Sequence, residues 1–160
     1  HGAYLSYYFS IYGPPLALFL MGRRDDFRFN VFAVMLVFFA HYLFFIYFPV
    51  QGPRYLFPAP GGAIADGVLY QFTHRLLEAG SSQGAAFPSS HVGVAFAQAA
   101  LAWRLLPKAA PWLAILATGL AAGAIYGGFH YATDAVAGLI LGLLVVAVAP
   151  TVCRILGREK

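Results

Sequence analysis

Long apolar runs separated by short polar breaks dominate this chain. A hydrocarbon core about 30 Å thick takes about 20 helical residues to cross. Five stretches come to about that length: Ala3 to Met21, Phe29 to Val50, Pro88 to Leu106, Pro111 to Phe129 and Ala132 to Cys153. Gly13-Pro14-Pro15 interrupts the first and predicts a kink or an unwound turn there. The fourth carries no charge, and the fifth holds Asp134 in its first turn.

The breaks are uneven. Gly22 to Arg28 is a short charged turn, and Pro107 to Ala110 is shorter still, so the third and fourth spans form a tight hairpin. Gln51 to Phe87 is long and less regular. Within it, Ile64, Val68, Phe72 and Leu76 recur near every fourth residue. That spacing predicts an amphipathic helix over Ile64 to Glu78, lying at the interface and too short and polar to cross. Gly119, Gly123 and Gly127, like Gly138 and Gly142, recur every four residues and predict close helix packing. The expected fold is all-α: a polytopic membrane helical bundle, one domain over residues 1–160, with five spans and an interfacial helix.

Composition strengthens this reading. Apolar residues make up 61% and charged residues 10%, against about 45–50% and about 25% in soluble domains. So few charges could not cover a soluble fold of 160 residues. A disordered chain is excluded too, and the lone Cys153 excludes a disulfide-stapled module. The net charge of +4 reads as topology, with no nucleic-acid partner. With spans alternating in direction, Arg23, Arg24, Arg28, Arg104, Lys108, Arg154, Arg158 and Lys160 share one side, and only Arg54 and Arg75 take the other. The positive-inside rule puts the first group in the cytoplasm. The long loop, the start of the third span and the junction at His130 then face outward. The chain opens on His1 without a cleavable signal peptide. A trimmed N-terminus, with a further helix as one option, is the expectation.

Polar groups collect on the outer side. Phe87-Pro88-Ser89-Ser90-His91 opens the third span. Proline in the first turn, free backbone N–H groups and two hydroxyls make a ready anion site. By itself the segment reads equally as a helix cap. In His130-Tyr131-Ala132-Thr133-Asp134, residues four apart share a helix face. Asp134 can accept the Nδ1–H of His130 and leave Nε2 as a nucleophile. A structural His–Asp pair is the competing reading, but ionisable groups near a span are functional candidates by default. In Gly52-Pro53-Arg54 the guanidinium fork suits phosphate oxygens, or else a lipid headgroup.

Taken together, two histidines, an aspartate, an arginine and an anion-binding helix start fit phosphoryl transfer through a phosphohistidine. No Walker loop, dense carboxylate cluster or third histidine ligand close in sequence points to a metal. No cofactor is expected. His41 and Gln98 read as hydrogen-bonded packing residues, and Tyr126 and Tyr131 as interfacial anchors or as a frame for the site.

Phe87-Pro88-Ser89-Ser90-His91 and Gly128-Phe129-His130-Tyr131-Ala132-Thr133-Asp134-Ala135-Val136-Ala137-Gly138 resemble motifs of the type 2 phosphatidic acid phosphatase superfamily. Its second motif is Pro-Ser-Gly-His and its third Ser-Arg-x5-His-x3-Asp. The resemblance covers roughly Tyr47 to Gly142. It implies a bundle of about six spans and a metal-independent phosphatase or phosphotransferase. By it, His130 is the nucleophile, Asp134 its partner and His91 the general acid, while Arg54, Ser89 and Ser90 bind phosphate. The sequence also departs from the family. Tyr47 stands at the first-motif lysine and Tyr55 at the proline after its arginine, Gly123 and Ala124 at the third-motif Ser-Arg, and Ser90 at the second-motif glycine. The missing third-motif arginine and the His-Tyr-x-x-Asp pattern lean toward the inositol phosphorylceramide synthase-like branch. His74 and Arg75 are accessory candidates for the lost charge, with Tyr126 beside them.

The expected function is therefore hydrolysis of a lipid phosphate ester at the extracytoplasmic face of a prokaryotic inner membrane, among membrane lipids. The alternatives are a lipid phosphotransferase and, in another class, a non-catalytic lipid-binding or transport protein.

Overall fold

The computed structural model describes residues 2–57, 67–68, 70–73, 75 and 83–157. Among the described residues the main helices follow in order: α1 (Gly2–Leu20), α2 (Arg24–Tyr47), α3 (Ser90–Leu105), α4 (Ala110–Tyr126) and α5 (Ala132–Gly157). A 3-10 turn, Pro53–Tyr55, lies between α2 and α3. Among the described residues there is no strand, only a single parallel bridge between Val50 and Ala85.

Each helix falls on one of the five apolar stretches. Two of them, α2 and α5, have the length and hydropathy to cross a membrane. The other three are α-helices of 19, 16 and 17 residues. Of the expected interfacial helix, residues 68, 70–73 and 75 are described and helical, with Val68 and Phe72 exposed. Its two ends lie outside the described residues.

All four other helices pack on α3, while α4 and α5 barely touch each other. The sequence of α3 explains its central place. Gly93, Ala95, Ala97, Ala99 and Ala102 are buried and too small to hold neighbours away. Opposite them on α5, a Cβ on Gly138 would collide with the Ser89 carbonyl oxygen, and one on Gly142 with that of Gly93. The predicted glycine spacing on the fifth stretch is thus a contact surface between α3 and α5.

The double proline does not break α1, which stays helical through Pro14 and Pro15. Proline at position 15 has no N–H for the Ile11 carbonyl four residues earlier. Gln98 on α3 supplies the donor, its Nε2 lying 3.2 Å from that oxygen. Gln98 also accepts from Asn30 Nδ2 at 2.9 Å. One buried amide thus ties α1, α2 and α3 together, the bridging role expected of it. His41 is fully buried and donates from Nδ1 to Val37 O at 2.8 Å.

The bundle has two chemically different ends. At one, Arg23 reaches the Leu105 carbonyl at 2.6 Å, joining the α1–α2 turn to the end of α3. Arg24, Arg28, Arg104, Lys108 and Arg154 lie on the same end by helix order. The other end gathers the polar segments described below. Between the ends the surface is apolar, with Phe39, Leu43, Ile115 and Leu144 all exposed. Such a surface belongs to a membrane protein.

Candidate active site

Four backbone contacts assemble the site from segments far apart in sequence. Val50 N–H donates to Gly84 O at 3.2 Å, and Ala86 N–H donates to Val50 O at 3.1 Å. The segment leaving α2 is thereby clamped to the one entering α3. Ser89 N–H donates to Asp134 O at 2.9 Å, which joins the starts of α3 and α5. Gly52 completes the set. A Cβ there would stand 2.8 Å from Phe129 O, so only glycine lets the Arg54 loop lie this close to Phe129, the residue before His130.

His130 is held from both sides of its own chain position. Gly128, at φ +68°, turns the chain out of α4. The N–H groups of Phe129 and His130 then both donate to Ala124 O, at 2.9 and 3.2 Å. The side chain is buried. Its Nδ1 lies 3.0 Å from Ala86 O. A carbonyl can only accept, so Nδ1 donates, and in the neutral ring the lone pair is then on Nε2.

Asp134 contributes differently from expectation. Its Oδ2 is 3.7 Å from His130 Nδ1, beyond hydrogen-bond range. That oxygen instead accepts the Tyr131 N–H at 2.9 Å. The N–H of Asp134 donates to Tyr131 O at 3.1 Å, so residues 131 and 134 cap α5 reciprocally. Asp134 is therefore buried beside the imidazole without a hydrogen bond to it, and the Nδ1 contact goes to Ala86 O.

His91 lies in the first turn of α3, and its ring centroid is 6.1 Å from that of His130. The Ser89 hydroxyl accepts the Val92 N–H at 3.4 Å, an N-cap, and both Ser89 and Ser90 are buried at the same helix start. Arg54 donates to the Tyr55 hydroxyl at 2.6 Å, and its guanidinium stands 4.5 Å from that ring. The structure thus brings the two histidines, Asp134 and both serines to one end of the bundle, with the Arg54 loop against Phe129. Tyr126 ends α4 and is 92% exposed, turned outward rather than into this cluster. Arg75 is exposed, and His74 lies outside the described residues.

Sequence reasoning missed three contributors. Ala86 acts through a backbone carbonyl, which has no signature in residue identity. Gly52 precedes a proline and reads as an ordinary turn. Tyr7, in α1, packs its ring 4.4 Å from that of His91. Nothing in the first stretch marks it among ten tyrosines. Among the described residues, no three His, Cys, Asp or Glu side chains form a group that could hold a metal ion.

A profile described as PAP2 superfamily matches residues 1–148, a range that includes every one of these side chains. The chain belongs to the PAP2 superfamily. No curated protein and no solved structure matches it significantly. Members of the PAP2 superfamily are phosphatases or phosphotransferases, so membership points to that class of reaction. Ala124, at the third-motif arginine position, is fully buried, and its backbone carbonyl accepts the His130 N–H. Tyr47, at the first-motif lysine position, ends α2 and is 73% exposed.

Proposed function

We propose that this protein is an integral membrane phosphatase that hydrolyses a lipid phosphate ester through a phosphohistidine. The observation that carries the proposal is the facing pair of imidazoles, 6.1 Å apart, with the Nδ1–H of one committed to Ala86 O. In the first half-reaction His130 Nε2 attacks phosphorus and the N–P bond forms. The ester P–O bond breaks, and His91 gives its proton to the departing alkoxide. In the second, water attacks phosphorus and returns a proton to His91. The N–P bond breaks, inorganic phosphate leaves and both histidines are restored. Asp134 stabilises the positive charge that develops on His130. Arg54 and the N–H groups at the start of α3, with Ser89 and Ser90, hold the phosphoryl oxygens.

Two features support a lipid substrate at the outer face. A shallow apolar groove lined by Ala132, Thr133, Val136, Ala137 and Ile140 runs down α5 from beside Asp134. It offers an acyl chain a path along a membrane-crossing helix while the headgroup meets the histidines. The basic end of the bundle, opposite the site, favours the cytoplasm. All five helices then cross, and the chemistry faces outward.

A phosphotransferase is the second reading, favoured by the alanine at the third-motif arginine and by the His-Tyr-x-x-Asp order of the inositol phosphorylceramide synthase-like branch. There an alcohol replaces water in the second half-reaction.

The test is phosphate release from phosphatidic acid in mixed micelles, with chelator present and with candidate alcohol acceptors in parallel. Expected are turnover, an acid-labile phosphoprotein on rapid quenching, and loss of both in His130→Ala. Full turnover by His130→Ala would sink the mechanism. Phosphorylated acceptor without free phosphate would favour the transferase.

A further inference from the structure

We propose that Tyr7 is a positioning residue for His91, and that its aromatic ring rather than its hydroxyl does the positioning. The inference rests on the reading of His91 as the group that protonates the leaving oxygen. Its starting point is a contact between helices. Tyr7 belongs to α1, eighty-four residues before His91, yet the two rings lie 4.4 Å apart at an interplanar angle of 46°. Among the described tyrosines and phenylalanines, Tyr7 and Phe129 are buried, Tyr7 at 7% exposure.

The physical need for such a neighbour lies in the side chain of histidine. Its second torsion has a broad, roughly two-fold preference, so the backbone alone does not set the direction of Nε2. The backbone of His91 is well fixed, because Ser89 N–H is bonded to Asp134 O and Gly93 N–H to Ser89 O. A ring packed at 4.4 Å on the imidazole restricts that torsion. The His130 ring, before α5, stands farther from His91, with its centroid 6.1 Å away.

A residue that works through the acid affects only reactions that need an acid. An alkyl phosphate has a poor leaving group and depends on proton transfer, whereas p-nitrophenyl phosphate releases a stable phenolate and depends on it little. We therefore compare Tyr7→Leu, which keeps buried apolar volume without a ring, and Tyr7→Phe in the full chain in micelles, with thermal melting as the check on folding. Tyr7→Leu is expected to lower kcat on phosphatidic acid by about 30-fold or more with KM within about 3-fold, and to lower kcat on p-nitrophenyl phosphate by less than about 3-fold. Tyr7→Phe is expected to keep kcat on both within about 3-fold. Equal losses on the two substrates, or no rescue by phenylalanine, would overturn the assignment.

A spectroscopic arm separates this outcome from failure of the functional reading. In histidine-labelled protein the His91 ring signals should shift and broaden in Tyr7→Leu and stay in place in Tyr7→Phe. His91 signals unmoved in Tyr7→Leu would overturn the assignment whatever the activity. Shifted signals in a protein whose wild type releases no phosphate would uphold the contact and remove the phosphatase reading alone.

Discussion

The carbonyl oxygen of Ala86 lies 3.0 Å from Nδ1 of His130, closer than the Asp134 carboxylate at 3.7 Å. The bond spans 44 positions of sequence. It makes the protonation pattern of the imidazole a property of the loop before α3. In the proposed mechanism, tautomer and charge stabilisation, which one aspartate commonly supplies together, are divided between a backbone group and a side chain.

That division makes Asp134→Asn informative. Asparagine can still accept the Tyr131 N–H, so the cap on α5 survives and stability should change by less than about 1 kcal/mol. The negative charge beside His130 is gone, and kcat for phosphate release should fall about 10²-fold or more. Asp134→Ala should lose the same activity and a further ~1 kcal/mol of stability from the broken cap. Thermal melts beside steady-state kinetics check both parts.

Gly52→Ala tests the approach of the Arg54 loop to His130. A methyl group would meet Phe129 O at 2.8 Å, and a backbone oxygen yields little. The loop should move outward instead, with a melting change of about 1 kcal/mol and an activity loss of about 10²-fold. Raised KM is the expected signature, because phosphate contacts are lost on binding. An unchanged KM would show that the loop does not hold substrate.

Gly138→Ala addresses the seam between α3 and α5. The added Cβ collides with the Ser89 carbonyl, which belongs to the site itself. Stability should fall by about 1–3 kcal/mol and turnover should fall with it. Gly157→Ala is the matched control, since nothing lies within 4 Å of the new methyl group. It should melt with the wild type.

Gln98→Leu removes both the donor to Ile11 O and the partner of Asn30. The buried groups left unpaired should cost about 1–3 kcal/mol. Pro15→Ala restores an N–H that can serve Ile11 O within α1. Combining the two should therefore recover part of the Gln98→Leu loss, and a double-mutant cycle by thermal melting measures how much.

Chelation gives a further expectation. With attack by a histidine and phosphate held by N–H and guanidinium donors, excess EDTA should leave phosphate release within about 2-fold. Strong inhibition, reversed by a divalent cation, would require a metal ligand set outside the described residues.

Much of the fold was legible because lipid-facing helices must satisfy their own backbone hydrogen bonds, and long apolar stretches have few other structures open to them. All five stretches became helices with ends within a few residues of expectation, except that α2 starts at Arg24, five residues early. Asp25 and Asp26 in its first turn, and the Arg23–Asp26 ion pair at 2.6 Å, extend the helix through the charged turn. The Pro14-Pro15 kink did not form as an unwound turn, because the donor that compensates it comes from Gln98, eighty-seven residues away.

The composition of this chain alone determined an apolar helical bundle, and residue spacing alone put His130 and Asp134 on one helix start and His91 on another. Those properties depend on short-range geometry, which local sequence encodes. Which atom holds the His130 proton, which ring meets His91 and how closely the Arg54 loop approaches were decided only by tertiary packing. Their partners are a carbonyl, a tyrosine among ten and a missing Cβ, brought together from distant segments. A backbone oxygen is the same in every residue, so no pattern of side chains could have announced it.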